Sequence, residues 1–418
     1  MKKKLIALLV CLTMAMIPVL ASCGGGSSSG GGSDEFKVAL ICLHDENSTY
    51  DLNFINGFKE AMGNLGIDED HYMIKTGVPE GQECYDAAAE LADAGCKLIF
   101  SDSFGHQDYM LQAAQEFPDV QFVSCTGDKA LVAKQDNYHN AFAAIYDGRY
   151  LAGVAAGMKL NELKEAGKLK GDTPKMGYVG AFTYAEVISG YTSFYLGAKS
   201  VCPDVTMDVT FTGSWYDETA EKEGANKLIQ GGADLISQHA DSFGAPTACE
   251  NAGIPNVSYN GSTKDAGPHT YIISSKINWA PYFEYATKAV KDGKTFDTNW
   301  TGTIDTGSVE LTELNTDVAA PGTAEKLEEV KAALAAGETH VFDTSTFTVT
   351  VDKDKNASAT VDGDGHLTSC KADVEADEKY EHETEVVSDG YFHESEFRSA
   401  PYFDLQIDGI NLLDTNFG

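Results

Sequence analysis

Two stretches of this 418-residue chain carry the same pattern: GCKLIFSDSFG at residues 95–105 and GADLISQHADSFG at residues 232–244. In each, a short apolar run follows a glycine and leads to an Asp-Ser-Phe-Gly tetrapeptide, and a helical segment then leads to a second strand. A coincidental match is the alternative, because short sequence motifs recur by chance. If the repeat reflects a duplication, each half has the same loop at the carboxyl end of an equivalent strand. That edge is where open α/β sheets bind ligands.

Short apolar runs alternate with helical periods along both halves of the chain. The predicted strands are residues 38–41, 98–100, 120–123, 176–179, 205–211, 235–236, 257–259 and 271–273. Strands separated by helices form parallel sheets with right-handed crossovers. The pattern therefore predicts an α/β fold with two Rossmann-like parallel-sheet lobes, joined by a hinge and facing each other across a cleft that can close.

The order of these runs also suggests where each lobe begins and ends. We assign residues 34–142 and about 276–308 to the N-terminal lobe, and residues 143–275 and about 309–418 to the C-terminal lobe. Residues 143–160 are predicted to form a long amphipathic helix.

The character of the chain changes after about residue 340. Residues 343–396 form an acidic insertion in which 349–351 and 359–361 are predicted to pair as a hairpin. Asp352, Asp354 and Asn356 resemble a calcium loop only faintly, because Ala357 and Gly363 stand where that loop needs Gly and Glu. We therefore predict no metal site.

The N-terminus predicts export. Three lysines precede an apolar run that ends in Leu-Ala-Ser-Cys at residues 20–23, which is typical of a secretory signal. Cys23 resembles the lipidated cysteine of a bacterial lipobox; an ordinary signal with an incidental cysteine is the alternative. Residues 24–33 are almost wholly Gly and Ser and predict a flexible tether. We expect a signal peptide over residues 1–22, a lipidated Cys23 with its tether over 23–33, and a folded body held at the outer face of the cell membrane.

Charge and cysteine spacing exclude several functions. The formal net charge of -34 argues against nucleic acid or anionic lipid as a partner, because both need clustered Lys and Arg. The nine cysteines include no C-x-x-C pair and no zinc-site spacing, and we expect most to be core residues.

Enzyme motifs are also missing. The Gly-Lys-Thr at 293–295 lacks the first glycine of a phosphate loop, since residue 288 is Lys. H-E-x-x-H does not occur, and G-x-S-x-G occurs only at residues 26–30, inside the Gly/Ser stretch and not between a predicted strand and helix. Catalytic groups can converge from distant positions, so this evidence is indirect. We predict a protein that is not an enzyme and needs no cofactor.

Several motifs resemble the basic membrane protein family, whose members are lipoproteins of ABC importers and include purine nucleoside receptors. YDGRYLAGVAAG at residues 146–157 is similar to the family's long helix, and further matches follow in the family's order at 177–181, 197–199, 203–205, 213–217, 232–234 and 238–242. The resemblance implies a type I periplasmic-binding fold, a purine nucleoside or nucleobase ligand, and an ABC permease and ATPase as partners. We expect a monomer.

In that family, aromatic rings sandwich the base while Asp and Asn side chains bond its edges. Together with the positions at strand ends, the resemblance suggests twelve ligand contacts. They are Tyr50, Asp51, Asp102, Ser103, Phe104, Phe182, Trp215, His239, Asp241, Ser242, Asn260 and Trp279.

Several of these contacts have an alternative interpretation. Tyr50 and Asp51 stand where the family commonly has Phe and Asn, and Asp for Asn removes a donor. Tyr50 is also a candidate hydrophobic staple for the following helix. The Asp-Ser pairs of the repeat are candidate helix caps, and Phe104 and Phe182 are candidate core residues.

Other functions stay open at this point. The same fold serves ligand sensors that dock on signalling receptors, and it binds other solutes such as sugars. A surface nucleosidase is a third alternative.

Overall fold

The computed structural model describes residues 36–353, 355–375 and 383–415. The predicted signal peptide, Cys23 and the tether lie outside these residues, as does part of the acidic insertion. Within the described part of the chain, no helix has both the length and the apolar character that a membrane crossing requires.

Strands and helices alternate through most of the described chain. The strands are β1 (Lys37–Ile41), β2 (Tyr72–Lys75), β3 (Cys96–Ser101), β4 (Gln121–Ser124), β5 (Tyr138–Ala143), β6 (Lys175–Gly180), β7 (Thr206–Phe211), β8 (Leu235–His239), β9 (Asn256–Tyr259), β10 (Tyr271–Ile277), β11 (Asn299–Gly302), β12 (Val309–Leu311), β13 (Ala359–Val361), β14 (Leu367–Ala372), β15 (Thr384–Glu385), β16 (Val387–Ser388), β17 (Tyr391–Phe392) and β18 (Ile410–Leu412). The helices are α1 (Thr49–Asn64), α2 (Gln82–Asp93), α3 (Gln107–Glu116), α4 (Ala130–Ala133), α5 (Ile145–Glu165), α6 (Ala185–Val201), α7 (Glu218–Gln230), α8 (Gly244–Ala252), α9 (Ala280–Lys291) and α10 (Thr323–Ala335).

The first sheet has the order β11-β5-β4-β3-β1-β2, and all its strand pairs are parallel. Helices α1 and α9 cover one face, and α2 and α3 cover the other. Both faces are buried, which explains why β1 reads as a continuous apolar run rather than an alternating one.

The second sheet has the order β12-β10-β9-β8-β6-β7-β18 and is parallel except at β12. Helices α5 and α6 pack on one face, and α7 and α8 on the other. The chain passes between the sheets three times, after β5, after β10 and after β11. The predicted α/β class with two parallel sheets is confirmed.

Helix α5 differs from its prediction as an amphipathic helix. Its residues from Gly148 to Gly157 are buried nearly all round, because α6 crosses it at very short distance. A Cβ atom on Gly153 would lie 2.0 Å from the carbonyl oxygen of Phe194, and one on Gly197 would lie 2.0 Å from that of Tyr150. The glycines of this motif therefore serve helix packing.

The predicted hairpin of the acidic insertion pairs differently from the expectation. Strand β13 pairs antiparallel with β14, while Val349 bridges Ile407 instead. The turn after β13 is fixed by Asp362, whose carboxylate accepts the backbone N–H of Asp364 and of His366 (both 2.9 Å). This local turn closes a hairpin one strand later than the sequence pattern suggested.

Candidate functional site

The carboxyl ends of the two sheets meet around one cavity. Loops after β1, β3 and β4 and the first turn of α1 supply one side, and α6, β8, β9 and the loops after β7 and β8 supply the other. The lining residues are Leu43, His44, Tyr50, Ser103, Phe104, Thr126, Glu186, Trp215, His239, Asp241 and Tyr259. The site lies where parallel sheets generally bind ligands.

The lobes touch directly beside this cavity. The backbone N–H of Thr49 donates to the carbonyl of Asp241 (3.0 Å), and the Thr49 hydroxyl donates to the same oxygen (3.1 Å). The rings of His44 and Tyr216 lie 5.5 Å apart across the cleft. Both Asp-Ser-Phe-Gly segments therefore border one enclosed space.

Six of the twelve residues suggested by the sequence line the cavity. Tyr50 has a double role, because its ring packs on Phe54 at 5.0 Å while its hydroxyl donates to the carbonyl of Asp102 (2.5 Å). The six are Tyr50, Ser103, Phe104, Trp215, His239 and Asp241.

Phe182 does not line the cavity itself but packs against a residue that does. Its ring stacks on Tyr184 with centroids 5.1 Å apart, and it meets the edge of Trp215 at 5.0 Å. Phe182 thereby supports the orientation of the Trp215 ring.

Asp51 and Asp102 also lie outside the cavity lining. Asp102 accepts the backbone N–H of Leu43 (3.0 Å), and Asp51 accepts that of His44 (2.7 Å) and the hydroxyl of Ser48 (2.6 Å). Ser48 is the N-cap of α1, so Asp51 occupies the third helical position typical of a capping box. The two carboxyl groups therefore hold the 43–44 segment that lines the cavity.

The environments of these two carboxyl groups shift their pKa values in opposite directions. Burial raises the pKa of Asp102 well above its usual range, and the neighbouring Asp51 charge adds to this effect. Burial alone would raise the pKa of Asp51 as well, but hydrogen bonds from His44 and Ser48 outweigh it and lower that pKa. Of the two carboxyl groups, Asp102 therefore holds a proton more readily than Asp51.

Asp241 is the one aspartate of the three predicted contacts that lines the cavity. Asn260 donates its side-chain amide to Asp241 Oδ1 (3.3 Å) and adopts a left-handed backbone with φ of 66°. Burial raises the pKa of Asp241 well above its usual range, and the carboxylates of Asp51 and Glu221 raise it further. A ligand that donates hydrogen bonds would favour the ionised form of this group.

Ser242 and Trp279 do not line the cavity. The hydroxyl of Ser242 accepts the backbone N–H of Gly244, the first residue of α8 (3.1 Å), so Ser242 fixes the turn that leads into this helix. Trp279 lies in the core of the first lobe, stacked on Phe54 at 4.3 Å, because the aromatic cluster between α1 and α9 needs a large ring there. The prediction of Trp279 as a ligand contact rested on residue type, and its core position argues against that role.

Sequence reasoning missed a charged group in the second lobe. Glu186, in the first turn of α6, lies 3.3 Å from His239 Nε2. The buried guanidinium of Arg149 stacks 3.3 Å above the ring of Tyr259, another lining residue. Burial lowers the pKa of His239 to about 4, and the charge of Arg149 acts in the same direction. His239 is therefore neutral at physiological pH, and Glu186 is available to accept from its ring N–H.

A wider chamber of about 690 Å³ adjoins the cavity. Phe104, Thr126 and Glu186 line both spaces, so the two are adjacent. The outer wall of this chamber includes Arg398 and Pro401, which come from the C-terminal part of the chain.

A two-lobed α/β protein with a cavity between the carboxyl ends of its sheets has the architecture of a periplasmic-type solute-binding protein. Residues 40–340 match the family described as ABC transporter substrate-binding protein PnrA-like. The chain belongs to this family, which confirms the resemblance to basic membrane proteins.

Curated relatives bind different solutes according to their names. A purine-binding protein from Brucella abortus is 34% identical over 286 residues, which cover 68% of this chain and 76% of that protein. A putative ABC transporter glucose-binding protein from Haloferax volcanii is 29% identical over 280 residues, 66% of each chain. An ABC transporter nucleoside-binding protein from Lactococcus lactis is 26% identical over 304 residues, 70% of this chain and 79% of that one.

Solved structures share the fold. A solute-binding protein of an ABC transporter system from Aeropyrum pernix superimposes with a TM-score of 0.61 at 19% identity, covering 76% of this chain and 95% of that one. One from Conexibacter woesei gives a TM-score of 0.60 at 21% identity, covering 73% and 98%.

Proposed function

We propose that this protein is the extracytoplasmic binding component of an ABC importer and that it carries a purine nucleoside or nucleobase in the cavity between its lobes. The lobes close on the ligand, no bond is made or broken, and the closed form docks on the permease and its ATPase. Cys23 anchors the protein to the membrane in this proposal, and the protein acts as a monomer.

The observation that supports a purine ligand is that aromatic rings from both lobes and two carboxyl groups line the same cavity. Tyr50 and Phe104 border the cavity from the first lobe, and Trp215 and Tyr259 border it from the second. Stacking of a base on an aromatic ring contributes about 1–3 kcal/mol per base.

The polar groups fit the edges of a purine. Asp241 and Glu186 supply acceptors for ring or exocyclic N–H groups. The hydroxyls of Ser103 and Thr126 donate to Glu80 and to the carbonyl of Asp102, and their oxygens can accept further hydrogen bonds from a ligand. Charge-assisted bonds to carboxylates are stronger than neutral ones and discriminate against analogues that lack the donor. The names of two relatives, purine-binding and nucleoside-binding, agree with this choice.

A sugar is the second candidate, because the Haloferax volcanii relative is named as glucose-binding. Carboxylates beside aromatic rings also suit a ring that carries several hydroxyl groups. The adjoining chamber leaves room for a ligand larger than one sugar ring or one base.

A thermal-shift comparison separates the two candidates. A ligand at about a hundredfold excess over its Kd stabilises the folded state by about 2.7 kcal/mol. We expect adenosine, guanosine, inosine or their bases to raise the melting temperature, and glucose to leave it unchanged. A shift with glucose and none with any purine would overturn the purine assignment. Release of free base from inosine would instead indicate a nucleosidase.

A further inference from the structure

The C-terminal region beyond residue 340 lies outside the family match, yet it is part of the second lobe. Phe342, Phe392 and Phe403 pack into the same apolar core as α5 and α6, with Phe342 stacked on Phe403 at 4.3 Å. Strand β18 adds to the edge of the second sheet beside β7. This region therefore moves with the second lobe.

One segment of this region, residues 394–401, reaches the first lobe; we call it the strap. The backbone N–H and the hydroxyl of Ser399 both donate to Asn299 Oδ1 (3.0 and 2.8 Å). The hydroxyl of Thr301 donates to the carbonyl of Ser395 (3.3 Å). Asn299 and Thr301 belong to β11, the edge strand of the first sheet, so the strap lies along that edge.

The strap also holds an ion pair across the cleft. Arg398 is fixed within the strap, because its guanidinium donates to the carbonyls of Ala400 (3.1 Å) and Pro401 (3.0 Å). Its Nη1 atom lies 3.7 Å from Asp128 Oδ2, in the loop after β4 of the first lobe. The two side chains are only 9% and 14% exposed, so solvent and salt screen this attraction less than at an open surface.

The other end of the strap is tied to the second lobe. The hydroxyl of Tyr146, on α5, donates to the carbonyl of Glu394 (3.0 Å). The Glu394 carboxylate accepts the backbone N–H of Tyr402 (3.2 Å). Both ends are therefore anchored, and Arg398 forms part of the wall of the chamber that adjoins the ligand cavity.

We propose that the strap is a non-covalent connection between the lobes that closes the β11 flank of the cleft, restricts lobe opening and slows ligand exchange. The chain joins the lobes at three crossings, and the hydrogen bonds from Thr49 to Asp241 join them beside the cavity. The strap adds a further link on the flank where the chamber lies. The opposite flank then becomes the path for the ligand. The proposal rests on the cleft closure of the proposed function but not on the identity of the ligand.

The test measures lobe opening in ligand-free protein. Spin labels are attached at Gln115→Cys of α3 and Lys222→Cys of α7, two exposed positions. Pulsed electron paramagnetic resonance then measures the distance between the lobes. The seven cysteines of the described residues are buried, and Cys11→Ser and Cys23→Ser remove the other two. Asp128→Asn weakens the ion pair with Arg398 and leaves the strap residues unchanged. Arg398→Ala removes the other partner of the same ion pair.

We expect both variants to shift the interlobe distance distribution to longer values and to raise the ligand dissociation rate at least about threefold. The double variant should show distances and a dissociation rate equal to those of the single variants. Asp414→Asn is the matched control, because Asp414 ties the C-terminal region to Thr210 and Phe211 of the second lobe only. The control should melt at a lower temperature with unchanged distances. Distances in Asp128→Asn and Arg398→Ala that match the control would overturn the strap. Failure of the purine assignment would leave the distance measurement unaffected.

Discussion

The two Asp-Ser-Phe-Gly segments have the same sequence and a related position, but they use their residues differently. In the first lobe Ser103 and Phe104 line the cavity while Asp102 holds the backbone of Leu43 behind it. In the second lobe Asp241 lines the cavity while the Ser242 hydroxyl accepts the backbone N–H of Gly244 in the turn before α8.

The spacing from strand to tetrapeptide accounts for this difference. Asp102 directly follows Ser101, the last residue of β3, whereas Ala240 separates Asp241 from His239, the last residue of β8. The longer connection carries Asp241 past the strand end and across to α1, whose Thr49 N–H bonds its carbonyl. The repeated tetrapeptide therefore predicts a repeated location in each lobe. The number of residues between the strand and the tetrapeptide decides which of its side chains lines the cavity.

The largest effect is expected from Glu221, which hydrogen-bonds to the second Asp-Ser-Phe-Gly segment. The affected quantity is the free energy of unfolding. Glu221 accepts the backbone N–H of Ser242 with both oxygens, and burial raises its pKa to about 7. As pH rises from about 4.5 to about 7, the unfolded chain loses this proton while the folded chain keeps it, so the free energy of unfolding falls. Relative to Glu221→Gln, the wild type should lose about 3 kcal/mol across this window. Chemical denaturation of both proteins at pH 5 and pH 7.5 measures the difference, and parallel pH profiles would contradict the assignment.

Replacing each of the two aspartates tests the comparison directly. Asp241→Ala should weaken purine binding by about 2–3 kcal/mol, because a hydrogen bond to a charged group is lost. Asp102→Ala should lower stability by about 1–3 kcal/mol, because the Leu43 N–H loses its acceptor, with a smaller effect on affinity. Calorimetric titration and thermal melting of both variants distinguish the two roles. Equal affinity losses would show that both carboxyl groups touch the ligand.

The two phenylalanines of the repeated tetrapeptide are expected to differ in their effect on purine affinity. Phe104 lines the cavity, whereas Phe243 lines a separate pocket with Asn260 on the far side of Asp241. Phe104→Ala should reduce purine affinity by about 2 kcal/mol, close to thirtyfold, through lost stacking. Phe243→Ala is the matched control and should bind as the wild type does. An affinity loss in the control would place the ligand elsewhere.

The serines complete the comparison with the smallest effects. Ser242→Ala should cost about 1 kcal/mol of stability, the usual contribution of one hydrogen bond, and should leave the Kd unchanged. Ser103→Ala should instead change the Kd by a few-fold, since its hydroxyl faces the cavity and also donates to Glu80. Melting curves and titrations of the pair provide the measurement. A changed Kd in Ser242→Ala with an unchanged one in Ser103→Ala would mean that the two serines have the opposite roles.

The sequence was sufficient for the fold class because the central strands carry strong apolar runs. Strands such as β11 (Asn299–Gly302) and β18 (Ile410–Leu412) escaped notice because edge strands are short and half exposed, so their hydrophobic pattern is weak. The wrong strand pairing in the acidic insertion had another cause: the turn that Asp362 fixes is a local feature that apolar periodicity does not report.

The site was only partly predictable for a related reason. Residues at strand ends, such as Phe104 and Asp241, follow from the general position of ligands on parallel sheets. Glu186 and Arg149 come from helices α6 and α5, and only tertiary packing brings them to His239 and Tyr259. The glycines that let α5 and α6 approach so closely were visible in the sequence, but their consequence for the site was not.

Tryptophan fluorescence tests the central claim most directly, because the chain has only three tryptophans and one of them lines the cavity. Trp215 faces the ligand space, while Trp279 lies in the first-lobe core and Trp300 packs on Tyr282. Titration with a purine nucleoside should give a saturable change in a Trp279→Phe, Trp300→Phe protein, and Trp215→Phe should abolish that change. A signal that survives in Trp215→Phe and disappears with Trp279 or Trp300 would place the ligand outside the cleft.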